Sequence, residues 1–135
     1  MLVSQLFLLP LINAHRWINS QTNPVPTSAP KQHDLSIGKC SGTWSAWYDR
    51  DDPGWFGDYE ILHHLKHHDA NKLCENPIAA EARIKGSDKT VTTQNVQLTL
   101  KGFTCKNILQ QWGKMCSDYE VRFCCDKSGI MNYDL

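Results

Sequence analysis

The sequence has no excess of charge of either sign. Its 135 residues contain 14 Lys and Arg against 14 Asp and Glu, which gives a formal net charge of +0. Binding to nucleic acid or to an anionic membrane surface draws on an excess of positive charge. We therefore expect no nucleic acid and no membrane among the partners of this protein.

Sequence signatures of the common enzyme classes are also missing. There is no Gly-x-Ser-x-Gly, no phosphate-binding loop and no Cys-x-x-Cys. A nucleophilic Cys–His pair needs a free thiol, which six paired cysteines do not leave. The remaining enzymatic alternative is a glycosidase-like carboxylate pair drawn from four acids: Asp49, Asp51, Asp58 and Glu60. Nothing in the sequence demands the cleft that such a pair requires, and we predict that the protein is not an enzyme.

No apolar run is long enough to cross a bilayer core of about 30 Å. The most apolar segment, residues 1–14, has no charged side chain and resembles the hydrophobic region of a signal peptide, which favours secretion. Residues 15–36 are rich in Pro, Ser and Thr and are predicted to be a disordered linker, because they offer few apolar side chains to bury. The domain is predicted to span residues 37–127, and residues 128–135 to form a loose tail.

The sequence does contain six cysteines around what must be a small core. They are Cys40, Cys74, Cys105, Cys116, Cys124 and Cys125. An even number in an exported chain predicts three disulfide bonds, each contributing about 2–4 kcal/mol against a total stability of about 5–15 kcal/mol. The short loop from Cys105 to Cys116 favours a bond between these two. Spacing leaves open which of Cys40 and Cys74 joins Cys124 and which joins Cys125.

The segment Trp44–Glu60 combines aromatic rings with carboxylates. Its large aromatics are predicted to supply much of the buried area: Trp44, Trp47, Tyr48, Trp55 and Phe56. The run Asp52-Pro53-Gly54 is a turn signal. Because Trp55 and Phe56 lie beside this turn, not all of their surface can be buried, and we interpret them as the contact site of a weak homodimer.

Aspartates crowd negative charge between these rings and need either solvent or a cation. Asp49, Asp51 and Asp58 supply carboxylate oxygens on a turn whose backbone carbonyls are free. Such a set suits Ca²⁺, which takes six to eight oxygen ligands at about 2.3–2.6 Å. We predict these three aspartates as candidate calcium ligands. The alternative is an acidic turn that is merely well solvated.

A cluster of histidines follows this segment: His63, His64, His67 and His68. On a helix, the i and i+4 spacing can place two imidazoles on one zinc ion. The Glu of a His-Glu-x-x-His metalloprotease is absent. A solvated helix face is the interpretation that the sequence favours, with metal affinity as the alternative.

Local patterns predict a small α+β fold, mostly antiparallel sheet with one or two short helices and stapled by disulfide bonds. Asp58 is predicted to cap a helix that runs to about Ala70. Residues 78–84 are a candidate strand. Residues 96–101 and 119–124 alternate apolar with polar side chains, which is the period of a half-buried strand.

Two motifs, near the two ends of this region, resemble a known family. Trp44–Glu60 contains Trp-x-x-Trp-Tyr-Asp-x-Asp-x-Pro followed by Gly-Asp-x-Glu, and Lys114–Cys125 ends in Tyr-Glu-Val-Arg-Phe-Cys-Cys. Together they resemble the WxxW domain, the cysteine-rich CysD module of gel-forming mucins that also occurs in cartilage intermediate layer protein. Cys74 and Cys105 fall where that family has cysteines. In the mucin modules, cysteines also stand at the places of Ala82 and Leu98, and their joint absence here is what a bond between them implies.

The resemblance implies a secreted, non-enzymatic module of extracellular matrix or mucus. Such modules associate weakly with one another, so the implied partners are a second copy or other matrix or mucus glycoproteins. The resemblance also implies calcium binding near Gly-Asp-x-Glu. The alternative is a secreted glycan- or protein-binding ligand, or a defence-type protein, on the same scaffold.

Trp44, the first residue of Trp-x-x-Trp, resembles a C-mannosylation acceptor, in which a mannose is joined to the indole carbon. This hypothesis is compatible with the simpler one that Trp44 and Trp47 pack on the sheet. The sequence has no Asn-x-Ser/Thr sequon for N-linked glycans.

Overall fold

A computed structural model describes residues 28–69 and 72–127. In these ranges the chain folds into short antiparallel strands, one α-helix and one 3-10 turn. The strands are β1 (His33–Asp34), β2 (Ser36–Gly38), β3 (Thr43–Trp44), β4 (Gly57–Ile61), β5 (Ala79–Ile84), β6 (Val91–Thr92), β7 (Val96–Thr99), β8 (Gly102–Lys106) and β9 (Tyr119–Cys125). The helix α1 is Leu62–His68, and the 3-10 turn is Asn107–Leu109. The predicted signal peptide and tail lie outside the described residues.

The pairing of β5 with β9 forms the centre of the larger sheet, which has the strand order β2-β5-β9-β3. Along β9, Val121 and Phe123 are fully buried, whereas Arg122 between them is partly exposed. Opposite these two large residues stand Ala82 and Ala80 of β5, so small side chains face large ones across the ladder. The strands predicted for residues 78–84 and 119–124 are confirmed.

A second sheet has the order β4-β8-β7 and packs on the same core. Phe103 of β8 meets Tyr119 of β9 with ring centroids 4.5 Å apart. Leu62 and Leu65 of α1 join this core. The strand predicted for residues 96–101 is confirmed as β7 but ends at Thr99, because the chain turns there into β8.

The fold begins earlier than the predicted boundary at residue 37. Strand β1 pairs with β6, and β2 pairs with β5. Between them Leu35 is buried in the core, and its backbone oxygen accepts a hydrogen bond from the N–H of Ala82. The segment 33–36 therefore belongs to the folded domain, since one buried leucine and two ladders offset the cost of ordering it.

The prediction that Asp58 caps the helix is wrong. Asp58 lies in β4, and α1 begins four residues later, after Ile61, without a side-chain cap. The free N–H of Leu62 is satisfied instead by the backbone oxygen of Lys101, at 2.9 Å. The helix ends at His68, before the predicted Ala70, with Lys66, His67 and His68 in its last turn, where cations are favoured.

The aromatics of the Trp44–Glu60 segment do not form the core. Trp55 and Phe56 are 94% and 81% exposed, and three others are only partly buried: Trp44, Trp47 and Tyr48. Among the described residues, the buried rings are those of Phe103, Tyr119 and Phe123, all on β8 and β9. The sheet is thus built around its central strands, and the aromatic segment lies over it.

Three disulfide bonds join the elements: Cys40–Cys124, Cys74–Cys125 and Cys105–Cys116. Cys124 and Cys125 are neighbours at the end of β9. Successive residues of a strand point to opposite faces, so the two sulfurs reach partners on different sides of the sheet. This geometry decides the pairing that spacing left open.

Candidate functional site

Two carboxylates of β4, Asp58 and Glu60, are fully buried. Asp58 Oδ2 accepts a hydrogen bond from the N–H of Tyr119 at 2.6 Å. The Glu60 carboxylate accepts from the N–H groups of Arg50 at 3.0 Å and of Asp51 at 2.8 Å. The motif Gly-Asp-x-Glu therefore clamps two other segments, the acidic loop and the start of β9, onto β4.

Burial raises the pKa of both carboxyl groups. Removal from water disfavours the charged form and raises the pKa of Asp58 to about 7, against the lowering effect of the Tyr119 hydrogen bond. The pKa of Glu60 rises to about 7 for the same reason, against the bonds from Arg50 and Asp51. Neither group can touch a substrate, because neither is exposed.

An acidic cluster lies next to this clamp. It consists of Asp49, Asp52 and Asp118, whose carboxylate oxygens can all lie within 4.8 Å of one another. Of the predicted calcium ligands, Asp49 belongs to the cluster, whereas Asp51 and Asp58 do not. Asp51 is instead tied through its backbone N–H to Glu60, and Asp58 through Oδ2 to Tyr119.

Lys85 partly neutralises the acidic cluster. Its ammonium pairs with Oδ2 of Asp49 and lies 3.5 Å from Oδ2 of Asp118. The Oδ1 atoms of the same two aspartates, and that of Asp58, are buried and have no hydrogen-bond partner within the part of the chain that the structure describes. Three carboxylates of the cluster outnumber one ammonium, so a surplus of negative charge remains. Hard oxygen donors in this state fit a cation such as Ca²⁺.

Tryptophan and arginine side chains alternate on the outer face of the larger sheet. The guanidinium carbon of Arg122 lies 4.5 Å from the ring centroid of Trp44 and 4.7 Å from that of Trp47. Arg83 covers Trp47 at 4.0 Å. Each arginine also pairs with a glutamate: Arg122 with Glu81 and Arg83 with Glu120. Trp-x-x-Trp thus places two indoles against one arginine.

Trp55 and Phe56 are exposed just before β4, and hydrogen bonds join their loop to the loop after β8, which carries the exposed side chains of Ile108 and Trp112. We call these four residues the apolar end; Ile108 and Trp112 are 88% and 87% exposed. Asn107 holds it together: its Nδ2 donates to the Gly54 oxygen at 2.7 Å, and its Oδ1 accepts from the N–H of Cys116 at 2.8 Å. The Cys105–Cys116 bond closes the same loop.

All four histidines are exposed on α1. The Nε2 atoms of His63 and His67 lie 3.4 Å apart, and their rings meet edge to face. His64 approaches the ring of His63 only at 6.0 Å between centroids. The predicted i and i+4 spacing therefore brings one pair of imidazole nitrogens together.

Asp52, Asp118 and Asn107 are residues of these candidate sites that the sequence patterns did not predict. Asp118 lies within the Cys-Ser-Asp-Tyr-Glu part of the second motif, so this motif is a sequence signal that includes it. Its position beside Asp49 depends on how β9 and the acidic loop meet, which no local pattern reveals.

Comparison with known proteins identifies the class of this domain. The family model described as the Mucin-2 protein WxxW repeating region matches residues 44–125, which is more than half of the chain. The protein belongs to the WxxW family.

The chain is also similar to two cartilage matrix proteins. It is 36% identical to human cartilage intermediate layer protein 1 over 93 residues, which cover 66% of this chain and 8% of that protein. It is 34% identical to mouse cartilage intermediate layer protein 2 over 108 residues, which cover 78% of this chain and 9% of that protein. The chain therefore spans less than a tenth of the length of these relatives.

Within residues 28–69 and 72–127, no helix is long and apolar enough to cross a membrane.

Proposed function

We propose that this protein is a secreted, non-enzymatic interaction module of extracellular matrix or mucus, and that it associates weakly with a second copy of itself or with other matrix or mucus glycoproteins. Its family and its similarity to cartilage intermediate layer proteins support the extracellular role. Three disulfide bonds support an oxidising compartment. The burial of Asp58 and Glu60 argues against a glycosidase, whose carboxylates must contact the sugar.

The observation that carries self-association is the apolar end. Trp55 and Trp112 expose nearly their whole side chains, and tryptophan is among the residues most enriched at the centres of protein interfaces. Asn107 and the Cys105–Cys116 bond hold the supporting loops in place. Little conformational entropy is then lost when a partner docks. A single small patch of this kind supports a weak and reversible contact.

Sedimentation equilibrium tests this proposal. Trp55→Ser should lower the association constant at least fivefold, because it removes a large exposed indole. The matched control is Leu100→Ser, which removes an exposed apolar side chain at the opposite end of β8. The substitution Trp17→Ser in the N-terminal segment serves as a second control. A strict monomer at high protein concentration, or equal losses in Trp55→Ser and Leu100→Ser, would contradict the proposal.

We also propose that the acidic cluster binds Ca²⁺. Asp49, Asp52 and Asp118 would hold the ion, and the orphaned Oδ1 atoms of Asp49 and Asp118 support this. The ion would neutralise carboxylates that Lys85 alone does not balance. The ion would also join the loop before β4 to the start of β9, so calcium binding would stabilise the folded protein.

Thermal melts with chelator and with added Ca²⁺ test the site. A bound ion should raise the melting temperature by an amount that grows as RT ln(1 + [L]/Kd). Asp118→Asn should abolish the calcium-dependent shift, whereas Asp51→Asn should keep it. If Asp51→Asn abolishes the shift and Asp118→Asn keeps it, the result favours the calcium ligands predicted from the sequence. A melting temperature that changes with neither chelator nor Ca²⁺ would refute the site.

Trp44 is our proposed acceptor of a C-linked mannose. Its indole is partly exposed on β3, and Arg122 covers one ring face. Mass spectrometry of the secreted protein should find one hexose on the peptide that holds Trp44. Hexose on Trp47 alone, or on neither residue, would contradict this assignment.

A second candidate function is the binding of a glycan or a protein segment in a polar cleft that holds one cationic side chain, Lys114. The cleft has a volume of about 410 Å³ and is lined largely by polar uncharged side chains, among them Gln32, Thr93 and Gln111. Titration with neutral oligosaccharides, followed by NMR shifts of the Gln32 and Gln111 side-chain amides, distinguishes this function from self-association. Shifts at Trp55 and Trp112 with rising protein concentration would favour self-association instead.

A further inference from the structure

The histidine pair on α1 has the geometry of a half-formed metal site. Two nitrogens bound to one tetrahedral Zn²⁺ at 2.0–2.1 Å must lie about 3.3–3.4 Å apart. The Nε2 atoms of His63 and His67 lie 3.4 Å apart. We propose that these two imidazoles bind a divalent transition-metal ion of the zinc and copper class, with the remaining coordination positions open to water or to an outside donor.

The helix supplies this geometry from its own period. Residues four apart lie one above the other on the same face, so His63 and His67 are brought together without any tertiary contact. Without a metal, one ring can donate its N–H to the other, and only one lone pair is used. When the donating ring moves its proton from Nε2 to Nδ1, a metal ion can take the Nε2 lone pairs of both neutral rings.

Among the described residues, no third His, Cys, Asp or Glu side chain joins this pair. Glu75 and Lys66 line the same small cleft as His63, but they are paired with each other. The second pair with i and i+4 spacing is His64 and His68, and among the described residues no contact joins their rings. Imidazole nitrogen is a ligand for Zn²⁺, Cu²⁺ and Ni²⁺, whereas Ca²⁺ takes oxygen. This site is therefore chemically distinct from the acidic cluster.

Isothermal titration of the tag-free chain with Zn²⁺ tests the proposal. We expect one ion per chain, at least a tenfold loss of affinity in His67→Gln, and less than a twofold loss in His64→Gln, the matched control on the same helix. Both side chains are exposed, so neither substitution should alter the fold, which circular dichroism checks. Equal losses in the two variants, or none in His67→Gln, would overturn the assigned pair.

Two further measurements separate this site from others. X-ray absorption of the zinc-loaded protein should show two imidazole nitrogens at about 2.0–2.1 Å. Excess Ca²⁺ and the substitution Asp118→Asn should leave zinc binding unchanged, because the acidic cluster is not involved. Cu²⁺ should compete and bind more tightly than Zn²⁺. Displacement of zinc by Ca²⁺, or a ratio of one ion to two chains, would contradict a two-ligand site on one chain.

Discussion

Asp58 and Tyr119 join the three-stranded sheet to the four-stranded sheet through a single hydrogen bond between residues 61 positions apart. The carboxylate of Asp58 in β4 accepts from the backbone N–H of Tyr119 at the start of β9, at 2.6 Å. Asp58 is fully buried, and the Tyr119 ring packs on Phe103 of β8. A motif that looks like an exposed calcium ligand in the sequence is thus part of the interior, and its titration is coupled to folding.

We predict that, in calcium-free buffer, the protein loses stability as the pH rises from about 4 to 7. The pKa values of Asp58 and Glu60 are raised to about 7 in the folded state. The folded chain therefore holds these protons more tightly than the unfolded chain, and this contribution is present in full below pH 4 and is lost as the pH rises through about 7. Urea denaturation at several pH values should show a loss on the order of 5 kcal/mol for the two groups together.

Glu60→Gln provides the control for this pH dependence. It removes one titrating group, so the slope of stability against pH should become smaller even if the variant is less stable overall. A stability that is flat or rising from pH 4 to 7 in the unmodified protein, with calcium removed, would contradict the assignment.

Gly57→Ala should destabilise the protein by about 3 kcal/mol or more. Gly57 has a φ of 144°, and a Cβ there would overlap the backbone oxygen of Cys105 in the neighbouring strand. Gly86→Ala is the control that separates backbone strain from steric overlap. Gly86 also has a positive φ, 78°, but there is open space where its Cβ would lie. It should cost only about 1–2 kcal/mol. Equal losses of unfolding free energy in the two variants would show that close approach is not the cause.

The three disulfide bonds should differ in their contributions to stability. Cys40–Cys124 spans 84 residues, whereas Cys105–Cys116 spans 11. Loop entropy alone predicts a loss of about 5 kcal/mol when both cysteines of the first pair are replaced by alanine, and about 3 kcal/mol for the second. Denaturant unfolding measures both. Since Cys105–Cys116 closes the loop under the apolar end, its removal should also weaken self-association, and an unchanged association constant would contradict that role.

Arg122→Lys should lower the free energy of unfolding by about 1–2 kcal/mol. Lysine keeps the charge but lacks the planar guanidinium group. In Arg122 that group contacts the rings of Trp44 and Trp47 and donates two hydrogen bonds to Glu81. Arg50→Lys is the control, because the Arg50 side chain is exposed and only its backbone N–H binds Glu60. A loss no larger than that of Arg50→Lys would show that the stacked arginine contributes nothing beyond its charge.

Strands with a clear period were predictable from local residues, because the alternation along β7 and β9 reports which face is buried. The helix was predicted, but its start was not. The sequence from Asp58 onwards matches a capped helix, because an apolar pattern and terminal histidines follow the aspartate. Asp58 lies in β4 instead, because it pairs with β8. The cap then comes from the Lys101 oxygen, which only the β7–β8 turn brings to Leu62.

The sequence by itself determined the family, the six cysteines and the pair of histidines on one helix face, because motifs and helical spacing are local properties. The tertiary structure alone decided the partners of Cys124 and Cys125, the close approach of Asp49, Asp52 and Asp118 in the acidic cluster, and the exposure of Trp55 and Phe56. Each of these depends on which distant strands become neighbours. The physical reason is that burial and hydrogen bonding are properties of the whole packed core.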